Sequence, residues 1–379
     1  GSAAFRKEGI DELADKYLEL AQSARGERIR QADYVHEKQR VKMYVADNNV
    51  FGVDLNPVAV ELAEVSLWLN ALSADRFVPW FGLQLVNGNS LTGARRETFP
   101  AESLGKRASD PESWLQSPPQ RTPLGRPRPE GRIWHFLVPD TGMARYTDKV
   151  AKKLYREEIT AMDQWRQAFT KPFDREQRER LERLSARIDD LWEEHARGLA
   201  DLRARTTDPY PVYGREARGA RTDLAYKDQA LAGEVYARYQ KNASAYRRLK
   251  LAMDYWCALW FWPLDQQHLL PEREEFLFDL ENLLLGDTVA AGPRYQVQDL
   301  FAPTQDEADG RRFVNRFGVV NLEVLFNGFP RLRLAHQIAG RRRFLHWELE
   351  LADVFRDRGG FDLGLGNPPW IKMEGEEGG

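Results

Sequence analysis

Asn367-Pro368-Pro369-Trp370 directly follows a short apolar run, Phe361 to Leu365. Consecutive prolines fix the backbone and remove N–H donors. Such a loop presents acceptors, the Asn367 side-chain oxygen and the Pro368 carbonyl, beside the flat face of Trp370. Two acceptors and a stacking plate suit a planar group that carries an exocyclic amine. A proline-rich turn with no ligand is the bland alternative for the same four residues.

Phe51-Gly52-Val53-Asp54-Leu55-Asn56-Pro57 is the second signal. In an open α/β sheet the ligand site lies at the carboxyl ends of the strands, and an acidic residue there accepts hydrogen bonds from ribose hydroxyls. The competing role for Asp54 is to cap a turn. The third signal is Asn87-Gly88-Asn89-Ser90-Leu91 at the end of the next strand, where a polar side chain could meet the adenine of a cofactor.

These residues need strands to hold them. Val50–Val53 reads as a buried strand, and Asn56-Pro57 then opens a helix, since Asn caps well and Pro suits the first helical position. Leu62, Val65, Leu69 and Leu72 form its apolar stripe. Gly82–Val86 reads as a second strand, which completes a strand–helix–strand unit. Asp11 to Gln22 has helical spacing. The expected sheet is mostly parallel and includes Phe361–Leu365, so that Asp54, Asn89 and Asn367 converge on one cleft at its carboxyl edge.

The rest of the chain divides by composition into residues 1–91, 92–145, 146–359 and 360–379. Residues 92–145 read as a Pro/Arg-rich loop, in which Gly93 to Glu130, dominated by Pro, Arg, Ser and Gly, reads as a mobile loop or linker. Residues 146–359 read as a mainly helical insertion. Within it Leu181, Leu184, Ile188, Leu191, His195, Leu199 and Leu202 recur at three and four residues, as in a helical hairpin or coiled-coil arm. Tyr255, Trp256, Trp260, Phe261 and Trp262 crowd together and read as core. Basic runs such as Arg247-Arg248 and Arg341-Arg342-Arg343 read as solvated surface, with phosphate contacts as the alternative.

The 379 residues carry 55 basic and 58 acidic side chains, a formal net charge of -3, which excludes a polycationic nucleic-acid coat but not a local basic groove. One cysteine, Cys257, excludes a disulfide framework or a Cys-based zinc site within the chain and reads as a buried thiol. The longest strongly apolar run, Tyr255 to Leu264, is too short to span a bilayer. No basic-then-apolar leader opens the chain, so the expected compartment is the cytoplasm. No metal is called for.

Taken together, Gly1-Ser2-Ala3-Ala4-Phe5, Gly52-Val53-Asp54-Leu55-Asn56-Pro57 and Asn367-Pro368-Pro369-Trp370-Ile371-Lys372 resemble the class I S-adenosylmethionine-dependent amino-methyltransferases. The likeness is strongest to the large restriction–modification-type adenine DNA methyltransferases, including those of the BREX and DISARM phage-defence systems. It implies a Rossmann-like sheet, incomplete in this chain, with a large helical insertion. S-adenosylmethionine is the implied cofactor. Gly1, Ser2 and Phe5 would belong to the loop that holds its methionine part. Asp54 and Leu55 would lie at its ribose, and Asn89 would stand where an acidic residue often contacts its adenine. Asn367 and Pro368 would hold the target amine, and Trp370 would stack on the base.

The resemblance also implies a mechanism. An adenine amino nitrogen is a poor nucleophile because its lone pair is delocalised into the ring. Accepting both of its hydrogens favours a tetrahedral nitrogen with an aimed lone pair, which is positioning plus electrostatic stabilisation. A base inside duplex DNA cannot reach such a loop, so the adenine of double-stranded DNA must be flipped out. Other defence-system subunits are candidate partners, and no membrane is expected. Both ends read as cut, so the chain by itself is expected neither to bind cofactor nor to methylate DNA. Methylation of an RNA base or a protein glutamine remains open, as does a non-catalytic helical module that keeps a remnant sheet.

Overall fold

The computed structural model describes residues 34–71, 80–210, 212, 222–235, 244–285 and 326–367. Helix α1 (Tyr34–Asn49) leads into strand β1 (Gly52–Asp54), helix α2 (Pro57–Ala71) and strand β2 (Leu85–Asn87). The two strands pair in parallel, Gly52 with Leu85, Val53 with Val86 and Asp54 with Asn87. Asn56 Oδ1 accepts the Val58 N–H at 3.0 Å, and Pro57 occupies the first helical position, where a missing donor costs nothing. The strand–helix–strand unit is therefore present, with both strands shifted toward their carboxyl ends. Residues 82–84 form a turn, and the polar Asp54 and Asn87 close the ladder instead of following it. Met43, Ala46, Ala71, Phe81 and Tyr210 form a small core beneath α1 and α2. The stripe of α2 does not face that core: Leu62 is 61% exposed and Leu69 61%.

Residues 92–145 are not a mobile loop. Strands β3 (Glu97–Pro100), β4 (Gln120–Arg121) and β5 (Arg132–Trp134) form an antiparallel sheet in the order β4-β3-β5. Trp114, Ile133, Trp134, Phe136 and Leu137 are buried. The Arg96 guanidinium lies between the rings of Trp134, at 4.5 Å, and Trp192, at 4.8 Å. Proline does not oppose this packing because it sits where no ladder donor is needed. Pro100 ends β3, Pro118-Pro119 precede β4, and Pro127 and Pro129 lie in the β4–β5 connection.

Helices α3 (Lys149–Leu154), α4 (Arg156–Phe169), α5 (Arg175–Thr206), α6 (Leu224–Val235), α7 (Ala245–Ala258), α8 (Arg273–Leu284), α9 (Pro330–Arg342), α10 (Trp347–Glu350) and α11 (Ala352–Arg358) make up the main body. Helix α5 starts at a capping box in which the Asp174 side chain accepts from Gln177. Its recurring face, six apolar residues and His195, is buried against α7, α8, α11 and β5. It is thus the central helix of this body rather than a projecting hairpin or coiled-coil arm, because partners on several sides cover its apolar face. Tyr255 and Trp262 are buried and Trp260 is 38% exposed, so the aromatic cluster is mainly core. Cys257 is buried, and burial pushes its thiol up.

Residues 361–367 are not a strand. Leu363 is 71% and Leu365 89% exposed. A strand needs a neighbour to complete its ladder, and among the described residues none flanks this segment. Gly359 and Gly360 enter it with φ of 76° and 137°, conformations that favour glycine and turn the chain away from an extended course. The described parallel sheet is therefore β1 and β2. Among the described residues no helix is long and apolar enough to cross a membrane.

Candidate functional site

At the carboxyl edge of β1, Asp54 is exposed and its Oδ1 accepts the Asn56 N–H at 2.7 Å. This Asx turn launches α2, so capping is one real role of the carboxylate. Asn87 stands directly across the ladder. Its Nδ2 donates to the carbonyls of Asp54 at 2.8 Å and Leu55 at 3.1 Å. Arg343 closes the group: its Nη1 donates to the Leu55 carbonyl at 2.6 Å and to Asn87 Oδ1 at 2.8 Å. Arg343 follows α9 in a left-handed conformation, φ 53°. The edge is thus held by several bonds, with an exposed carboxylate that can accept from a vicinal diol.

Asn89 lies beyond the end of β2 and serves the chain. Its N–H donates to the Arg343 carbonyl at 2.7 Å, and its Oδ1 accepts the Leu91 N–H at 3.1 Å. It forms a parallel bridge with Phe344. The stitching continues downstream. Trp347 Nε1 donates to the Ser90 carbonyl at 3.0 Å. A Cβ on Gly93 would collide with the Leu345 carbonyl, so only glycine fits that crossing. His346 Nδ1 accepts the Ala94 N–H at 2.9 Å, which leaves Nε2 as the protonated nitrogen facing Asp254 at 3.0 Å. Lys250 lies 3.1 Å from the same carboxylate oxygen. Burial alone would raise the Asp254 carboxyl, but Lys250 and His346 hold it below its ordinary value.

Asn367 is exposed at the last position of its described segment. That segment begins at Phe361, whose ring packs on Phe51 at 5.3 Å, Phe355 at 5.8 Å and Trp347 at 6.1 Å. Pro368, Pro369 and Trp370, and Gly1, Ser2 and Phe5, lie outside the described residues. So do Leu72 and the helical spacing of Asp11 to Gln22. The structure therefore joins Asp54 and Leu55 to Asn87 and Arg343, and turns Asn89 to a local capping task. Asn87 was legible in part, since it stands in the same Asn-Gly-Asn run as Asn89. Nothing in the basic run singled out Arg343.

No family model, curated protein or solved structure matches the chain.

Proposed function

We propose that this chain is part of an S-adenosylmethionine-dependent methyltransferase that acts on the exocyclic amine of adenine in DNA, in restriction–modification or phage defence. The observation that carries the reading is the parallel β1–α2–β2 unit with an exposed Asp54 at the carboxyl end of its first strand. That is where a nucleotide-binding sheet presents a carboxylate to ribose hydroxyls. The Asn367-Pro368-Pro369-Trp370 motif supplies the complementary half, an acceptor pair and a stacking face for the target base. S-adenosylmethionine would supply the methyl group. Asp54 would accept from the ribose, on a strand end that Asn87 and Arg343 keep rigid. Asn367 and Pro368 would accept hydrogen bonds from the amine, whose surplus proton would leave to water after methyl transfer, and Trp370 would replace the stacking that the flipped base loses.

A helical interaction module has one observation in its favour. Val58, Leu62, Val65 and Leu69 of α2 are all more than half exposed, a row that suits a partner surface. Calorimetry separates the two readings. The full-length protein is expected to bind S-adenosylmethionine saturably, and Asp54→Ala to weaken that binding by roughly tenfold, the usual effect of losing a charge-assisted hydrogen bond. Absence of binding in the full-length protein would favour the interaction module.

A further inference from the structure

A cavity of about 450 Å³ opens where β2, α7 and α9 meet. Its volume falls within the roughly 300–1,000 Å³ typical of small-molecule sites. Neither Asp54 nor Asn367 lines it, while Asn87 and Arg343, which brace the Asp54 strand end, do, so it adjoins the proposed ribose contact without including it. Its wall gathers cationic and donor groups from distant parts of the sequence: Arg247 and Lys250 on α7, His336 on α9, and Arg343 just after it. One arginine from each of two basic runs that the sequence sets far apart thus lines the same space.

The acidic groups in the lining are already engaged. Asp254 is held by Lys250 and His346, and Glu350 Oε1 accepts the Tyr246 hydroxyl at 2.7 Å. Arg343 uses only Nη1 on Leu55 and Asn87; its Nε and Nη2 make no hydrogen bond among the described residues. His336 Nδ1 is buried with no hydrogen-bond partner among the described residues, and its ring stacks on Phe326 at 5.1 Å. A buried polar nitrogen with no partner carries a desolvation cost that a ligand can remove. The same lining carries the apolar side chains of Leu199, Leu231 and Phe344. Cationic donors and apolar side chains around one space match a molecule that joins a phosphate to an apolar body.

We infer that this cavity binds a phosphate monoester of mononucleotide size, with the phosphate among Arg247, His336 and Arg343 and the nucleoside against the apolar residues of the lining. The inference does not rest on methyl transfer. It is tested by calorimetry on the full-length protein with dAMP, adenosine and inorganic phosphate as probes. dAMP is expected to bind saturably, and adenosine at least tenfold more weakly, because the phosphate carries charge-assisted hydrogen bonds. Inorganic phosphate is expected to compete with dAMP at lower affinity. Arg247→Gln should weaken dAMP by roughly tenfold, on the same grounds. Asp54→Ala, outside the cavity, should leave dAMP binding intact while weakening S-adenosylmethionine, so the two sites fail separately. Adenosine binding as tightly as dAMP, or no saturable dAMP binding, would overturn the inference without any variant. Inorganic phosphate binding as tightly as dAMP would overturn the mononucleotide assignment. Unchanged dAMP binding in Arg247→Gln would place the ligand elsewhere.

Discussion

Phe361 packs against Phe51, with ring centroids 5.3 Å apart and planes at 59°. Phe51 immediately precedes β1 and Phe361 opens the segment that runs to Asn367, so this contact ties the two motif-bearing stretches together without a strand ladder. Trp347 and Phe355 complete the aromatic group. Phe361→Ala is expected to cost about 1–2 kcal/mol in urea unfolding, less than a fully buried Phe because the ring is partly exposed. Amide exchange across residues 361–367 should also accelerate. Unchanged stability and unchanged exchange would mean that the segment is anchored elsewhere.

Trp134 is fully buried; its ring stacks on Arg96 and its Nε1 donates to Asp189 at 3.0 Å. The side chain therefore locks residues 92–145 onto α5. Trp134→Ala is expected to destabilise by about 3–5 kcal/mol, the range for deleting a large buried aromatic side chain. Limited proteolysis should leave residues 96–145 intact in the parent protein and cleave them early in the variant. Early cleavage in the parent would restore the mobile-loop reading.

In residues 92–145 frequent Pro, Arg and Gly mask the few large apolar residues, Trp114, Trp134 and Phe136, that form the core there. The helix at Asn56-Pro57 was legible because capping is local chemistry. Pairing is not local: Phe361–Leu365 has the apolar character of a strand, yet among the described residues no ladder partner flanks it. The periodicity of α5 correctly gave its buried face from Leu181 to Leu202 but not what covers it. Arg343 was invisible for a similar reason, since its bonds to Leu55 and Asn87 depend on a left-handed turn after α9.

Asp47 gives the fold a pH dependence. Burial raises its carboxyl to about 6, against the pull of Lys227 and the Trp80 N–H. Between the unfolded value and about 6 the folded chain binds this proton more tightly than the unfolded chain does. Its contribution to stability is therefore full at low pH and is lost as pH rises through about 6. Asp47→Asn, which keeps an acceptor for Trp80, is expected to match the parent near pH 4 and to exceed it by about 1–3 kcal/mol near pH 7.5. Urea titrations at both pH values check this, and equal stability at the higher pH would show that Asp47 is well solvated.

Methyl transfer itself is tested most directly by single-molecule sequencing of DNA from cells that express the full-length protein, beside cells that express its Asn367→Ala variant. The account predicts N6-methyladenine at a recurrent sequence in the first and none in the second, with both proteins binding S-adenosylmethionine equally. Absence of methyladenine with the parent, or near-normal methylation with the variant, would contradict it.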